Sequence, residues 1–321
     1  MSAFRNAALA CAALAALGFT AETATAQTYG LATMQPGTLN HTTGSAIAKV
    51  LKEKADLNTL VQPTAGESVI IQLVGRGEAD LGIANILEVV NAISGASATV
   101  KQADLQLVGS VHALRVAYFV RKDSGMKTMA DLKGKRVTVG FSAMRTIDTL
   151  ASAMLATAGL TQNDIKPILV PNVIRGADDF LSGSADAFLF AFGAPKVREV
   201  DASVGGIIAL EIPEKGMDES RKIFSYGYLT DAVPSPFFIG VTQPQKVYSY
   251  DNMLFTNAKV KDELVFKMID TLEKNKADLV AVQPALREFS AASLYKKYDI
   301  NYHAGALKYF KDNKIEAKAA Q

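Results

Sequence analysis

The sequence predicts an α/β protein of two lobes that face each other across a cleft. Three observations predict it: strands alternate with amphipathic helices, one unit of that alternation recurs 106 positions later, and the chain passes between the two copies twice. In the first copy strands are expected near 28–33, 58–62 and 80–84, with helices near 40–54 and 67–75. The second copy has strands near 136–140, 167–170 and 186–190, with helices near 145–158 and 175–182. Strands and helices at this spacing build parallel βαβ units covered on both faces.

The recurrence is visible in the residues. Positions 77–85 read GEADLGIAN and positions 183–191 read GSADAFLFA; the same offset carries Leu31 onto Val137 in KRVTVGF. Two echoes at one offset indicate two copies of one unit. Gly77 and Gly183 fall just past a helix, where a positive φ is required and glycine is the residue that supplies it cheaply. The crossing to the second copy is expected in GSVHALRVAYFVRKDSG, and the return near Val247–Leu254, after the apolar stretches Gly206–Ile212 and Phe237–Val241. From Lys259 the pattern is helical and is expected to pack back on the first lobe. The lobes are therefore expected at 27–117 with 249–321, and at 118–248. Ligands of such sheets bind at the carboxyl ends of the strands, and closure about two crossing strands would bury them.

The N-terminus bears on the compartment. Arg5, the Ala/Leu run Ala7–Ala16 and Ala24-Thr25-Ala26 have the pattern of a secretory signal peptide over residues 1–26. The apolar run is about half the roughly 20 residues that a membrane-spanning helix needs. Export to the periplasm is the expectation. Cys11, the sole cysteine, lies inside that segment, so the mature chain would carry no disulfide, thiolate metal site or cysteine nucleophile. A net charge of +2 gives too little field to argue for a nucleic-acid partner. His41, His112 and His303 are far apart with no metal-ligand spacing, and His303 reads as a packing or capping residue. No nucleophile elbow, phosphate loop or His-Glu-x-x-His is present, and Gly75-Arg76-Gly77 precedes a strand where a dinucleotide loop would follow one. No cofactor and no enzyme activity are expected.

Longer runs carry a family resemblance. LATMQPGTLNHTTGSAIAKVLKEK, VQPTAGESVIIQLVGRGEADLGIAN, VRKDSGMKTMADLKGKRVTVG, LSGSADAFLFAFGAP and PALREFSAASLYKKYDINYHAGALKYFK together resemble the TAXI family of TRAP-transporter solute receptors, in matching order over the mature chain. The resemblance implies a type II periplasmic binding protein that closes on an amino acid, dicarboxylate or oxoacid. It further implies delivery to a TRAP permease driven by an ion gradient, by a receptor expected to be monomeric. A periplasmic sensor subunit is the alternative, and an enzyme on the same fold a more distant one. The chain departs from the family pattern at Gly66-Glu67-Ser68, at Ser142-Ala143-Met144-Arg145-Thr146 and at Asn40-His41, all on loops expected to line the cleft. The solute is therefore not carried over.

The candidate ligand contacts lie on those loops. Met34, Gln35, Thr38 and Asn40 precede or open the first helix, where backbone N–H groups favour an anion or a carbonyl, although Thr38 would equally serve as an ordinary N-cap. Gly66, Glu67 and Ser68 open the second helix, and Glu67 there also suits the helix dipole. Asn85 ends the third strand. In the second copy Ser142, Met144, Arg145 and Thr146 take the corresponding place, and the fork of Arg145 suits a carboxylate. Phe192 follows the strand that matches the one before Asn85; Arg175 is a weaker candidate. Glu67 and Arg145 are expected to face each other and select a ligand carrying both signs of charge.

Overall fold

A computed structural model describes residues 27–96 and 101–320; the expected signal segment 1–26, with Cys11, lies outside the described residues. The first copy runs β1 (Thr28–Thr33), α1 (Leu39–Ala55), β2 (Asn58–Pro63), α2 (Glu67–Gly75) and β3 (Leu81–Asn85), with a further helix, α3 (Ile86–Ser94), capped by Asn85. β4 (Leu105–Arg121) then leads to the second copy: β5 (Arg136–Val139), α4 (Arg145–Ala156), β6 (Lys166–Leu169), α5 (Val173–Leu181) and β7 (Ala187–Ala191). α5 starts two residues earlier than the sequence pattern suggested, because the Asn172 side chain accepts the Arg175 N–H and fixes the first turn there. After the short strands β8 (Ile207–Ala209) and β9 (Tyr228–Ala232) the chain returns along β10 (Gln245–Asn257).

The strand order is β2-β1-β3-β10-β4-β7-β5-β6, with β8 alongside β4 and β9 alongside β10. β1 pairs in parallel with β2 and β3, and β5 in parallel with β6 and β7; β4 and β10 pair antiparallel between the two sets. β4 is 17 residues long, or roughly 56 Å at 3.3 Å per residue, so one strand serves both half-sheets. The two lobes anticipated from the repeat are thus present, joined by two continuous strands. Beyond β10 the helix Asp262–Lys274 packs on α1, where Lys267 Nζ donates to the Ala55 carbonyl, and the His303 N–H donates to the Leu107 carbonyl. His303 caps the helix Ala304–Asp312 by accepting the Gly305 N–H.

The 106-residue repeat is realised as the same hydrogen bonds twice over. Gly77 and Gly183 both have positive φ, and each is followed by a backbone bond reaching five residues back, Glu78 N–H to Leu73 C=O and Ser184 N–H to Asp179 C=O. In each copy the aspartate of Gly-x-Ala-Asp then ties the third strand to the first. The Asp80 carboxylate accepts the Gly30 N–H at 2.7 Å, and Asp186 accepts the Arg136 N–H at 2.9 Å. The pairing Leu31–Leu81 in one half becomes Val137–Ala187 in the other. The unit therefore has a side-chain clasp that sets the register of two parallel strands with no hairpin between them.

Replacing that clasp is expected to cost about 1.5–3 kcal/mol in either half, the usual worth of a hydrogen bond to a charged group. Asp80→Ala and Asp186→Ala should each lower the unfolding free energy by that amount in denaturant titrations. Because the two clasps are far apart, their effects in the double variant should add to within about 0.5 kcal/mol.

Candidate functional site

At the carboxyl ends of the parallel strands, four helices begin where the two half-sheets face each other. α1 is capped by Thr38, whose hydroxyl accepts the His41 N–H and donates to the Gln35 carbonyl. The loop before it is held by Asn40, which accepts the Met34 N–H and donates to the Ile83 carbonyl in the middle of β3. α2 opens at Glu67. In the second half α4 opens at Arg145 after Met144, and α5 opens at Val173 after its Asn172 cap. The Ser142–Met144 loop is tied to β6 by Ser142 N–H to Val170 C=O and Ala143 N–H to Pro171 C=O.

Between these helix ends lies a small cavity with about 40 Å³ of free space, room for roughly three water molecules, whose lining residues are almost all buried. The first half contributes Met34, Thr38, Leu39, Asn40 and Glu67. The crossing strands supply its floor, Leu114 and Val116 of β4 and Tyr250 of β10. The second half contributes Met144, Ile147, Leu150, Val173 and the end of β7, Leu189 to Ala191. A roomier surface depression lined by Thr128, Glu211, Asp231 and Lys246 holds none of the strand-end residues.

The halves touch directly beside the cavity. Thr146 of α4 donates its hydroxyl to Glu88 of α3 at 2.6 Å and accepts from the Asn85 side-chain amide at 2.8 Å. Ser68 donates to the other oxygen of Glu88, and the Asn85 backbone N–H and side-chain amide both donate to Glu67. A third bond crosses from the Lys196 N–H to the Gly37 carbonyl. Gly66 lies so close to Ala143 that an added Cβ would sit 2.1 Å from the Ala143 carbonyl oxygen. The structure is therefore a closed form. Glu67 is 1% exposed; burial, and then the neighbouring Glu88, push its carboxyl up to about 8, so it is uncharged at neutral pH.

Of the residues singled out in the sequence, Met34, Thr38, Asn40, Glu67 and Met144 line the cavity. Gly66, Ser68, Asn85 and Thr146 form the contact and hydrogen-bond network that closes it. Four do neither. Gln35 offers its backbone carbonyl to Thr38, and Ser142 is exposed. Arg145 is exposed at the start of α4 and is absent from the cavity lining, so the expected pairing of Arg145 with Glu67 does not form: its side chain keeps its hydration while Glu67 is buried and neutral. Phe192 is fully buried against Phe119 and Phe238, each ring centre 5.2 Å away, and belongs to the aromatic core. Arg175 pairs with Asp179 on the surface of α5.

The repeat itself held the correction for Phe192. The 106-residue offset carries Asn85 onto Ala191, not Phe192, and Ala191 lines the cavity. The β4 and β10 residues Leu114, Val116 and Tyr250 had no local signal. An apolar residue on a long buried strand looks the same whether it faces a core or a cavity. No cluster of His, Cys, Asp or Glu suited to a metal ion occurs among the described residues, and no helix among them is long and apolar enough to cross a membrane.

Two predictions follow from the closed contact. Gly66 has extended backbone (φ 176°), so Gly66→Ala should fold normally and act only across the cleft, opening the lobes. Small-angle scattering should show a larger radius of gyration with little change in melting temperature. The second concerns pH. Glu67 binds a proton in the closed form that it releases at an ordinary carboxyl pKa once exposed, so closure and stability are greatest below about pH 4.5 and decline as pH rises towards about 8. Glu67→Gln should flatten that part of the stability–pH curve, measured by thermal unfolding from pH 5 to 9.

Solved structures share this architecture. One described as a periplasmic transporter aligns with a TM-score of 0.60 at 14% identity, covering 89% of this chain and 92% of its own. The alkanesulfonate-binding protein SsuA from Xanthomonas axonopodis pv. citri, bound to MOPS, aligns at 0.50 with 16% identity, covering 91% and 94%. The amino acid ABC transporter substrate-binding protein AbpA from Streptococcus pneumoniae, bound to L-arginine, aligns at 0.50 with 12% identity, covering 81% and 94%. At these identities the likeness is one of fold, that of type II periplasmic binding proteins. A family model matches residues 31–313, the whole of both lobes and the returning helices, and the chain belongs to the NMT1-like family.

Proposed function

We propose that this protein is a periplasmic solute receptor that encloses a small organic acid or amino acid between its lobes and delivers it to a membrane transporter. The observation that carries the reading is the cavity at the strand ends, walled by buried residues of both halves and flanked by hydrogen bonds between them. A ligand held there touches both lobes, so binding and closure are coupled. In this reading residues 1–26 are a cleaved export signal, lobe I comprises 27–117 and 249–321, lobe II comprises 118–248, and the receptor is a monomer.

The partner we infer is the permease of a tripartite ATP-independent transporter of the TAXI class. Support comes from the sequence runs around Gly77, Gly140 and Gly183 and from the His303-Ala304-Gly305-Ala306 end, which resemble that class in matching order. The solved structures of similar fold include ABC-type receptors, so the energy source is the point to test. The cavity lining, with a neutral carboxyl and a phenol but no paired nucleophile and base, supports a receptor rather than a catalyst.

Thermal unfolding with a panel of amino acids, dicarboxylates, oxoacids and monoacids is expected to reveal a ligand. A compound at about a hundred times its dissociation constant adds roughly 2.7 kcal/mol of apparent stability. In proteoliposomes holding the two-part permease, uptake of that compound should need this protein and an ion gradient but no ATP. Uptake that requires ATP would assign the receptor to an ABC system instead.

A further inference from the structure

The polarity of the cavity is divided between the lobes. Every polar side chain that lines it, Thr38, Asn40, Glu67 and Tyr250, comes from the first half or from β10 beside it, whereas the second half contributes only apolar groups, among them Met144, Ile147, Leu150 and Phe190. We propose that the cavity takes a short-chain monocarboxylate, its head against Glu67 and Tyr250 and its apolar body against the second lobe; this rests on the receptor reading and narrows its solute class.

Three features select that chemistry. First, the head group has donors waiting for it. Tyr250 is 3% exposed, and its hydroxyl has no hydrogen-bond partner among the described residues. Burial, and then the nearby Glu67, keep the phenol well above its usual range, so it remains a donor. Glu67 uses both oxygens as acceptors for Asn85, which leaves the proton of its neutral carboxyl as a donor. The first turns of α1 and α2 add the positive ends of two helix dipoles.

Second, one anionic head is the limit. No Lys, Arg or His side chain lines the cavity. A second carboxylate would have to lie against Ile147, Leu150 and Phe190, where a charge loses its hydration with no donor in return. Third, an ammonium has no ionised partner. Glu67 is the one acidic side chain in the lining, and burial and Glu88 hold it neutral. An amino acid's ammonium would therefore have to displace that proton before it had an ionised partner.

Three probes on one small skeleton separate these cases: propionate, L-alanine (the same acid with an α-ammonium) and malonate (its methyl replaced by carboxylate). Calorimetric titration of the purified protein at pH 7 should give propionate a dissociation constant at least tenfold below the other two. Tyr250→Phe should weaken it about three- to tenfold while leaving the unliganded melting temperature within a degree or two. Affinity should fall as pH rises through about 8, where Glu67 ionises against the bound anion beside Glu88, and in Glu67→Gln that fall should vanish.

Tighter binding of alanine or malonate overturns the proposal, as does a wild-type affinity insensitive to pH between 6 and 9, or no binding of any of the three. Native mass spectrometry of the exported protein keeps the two readings apart. A different co-purified solute refutes the monocarboxylate and retains the receptor; a protein that neither carries nor binds any solute refutes both.

Discussion

Everything in this molecule hangs on two strands that belong to both halves. β4 and β10 are paired antiparallel across most of their length, and each closes one half-sheet before continuing into the other. A strand cannot bend sharply without losing ladder hydrogen bonds, so the crossing is managed by register shifts after Asn252 and Leu254 and by Gly109. Gly109 has φ 155°, and a Cβ there would meet Leu294 at 2.6 Å; no other residue lets the C-terminal segment lie so close to the strand.

The crossing is also where the buried polar groups gather. His112 accepts or donates to Thr43 at 3.0 Å on the cleft side. On the other, Asp251 receives the Lys296 ammonium at 2.6 Å, the Tyr228 hydroxyl at 2.9 Å and the Tyr298 hydroxyl. Such pairs are costly to bury and highly directional, so they specify one arrangement of the strands more than they stabilise it. They fasten to the crossing both the returning C-terminal segment, through Lys296 and Tyr298, and β9, through Tyr228. The floor of the cavity, Leu114, Val116 and Tyr250, is thus anchored from behind while its walls approach from either side.

The closing surface uses a different economy. Its bonds run through hydroxyl and amide groups, Ser68, Asn85 and Thr146, to two carboxyl groups of which one is neutral. Net contributions of such bonds are about 1 kcal/mol each, enough to bias an open–closed equilibrium without locking it. An ion pair between Arg145 and Glu67 in the same place would have had to desolvate a guanidinium at every closure. The exposed Arg145 avoids that cost and leaves the second lobe's side of the cavity apolar.

Local physics determined much of this in advance. Strand and helix periods, the glycines past α2 and α5 and the repeated Gly-x-Ala-Asp are short-range features, so the ten elements of the two copies stand within about two residues of where the sequence puts them. The helix-opening loops followed as well, because the strands of a parallel half-sheet end together by topology; Met34, Thr38, Asn40, Glu67 and Met144 line the cavity there. What the sequence could not decide was which way side chains near those loops face, and against what. Arg145 and Thr146 are neighbours on one helix turn, yet one is solvated and the other joins the lobes. Glu67 reads as a charge in the chain and is a neutral acid in the fold, because its burial and its nearness to Glu88, 21 positions away, exist only once β3 and α2 are packed. The division of the cavity into a polar and an apolar side is likewise a property of two distant segments meeting, which no single stretch of the chain encodes.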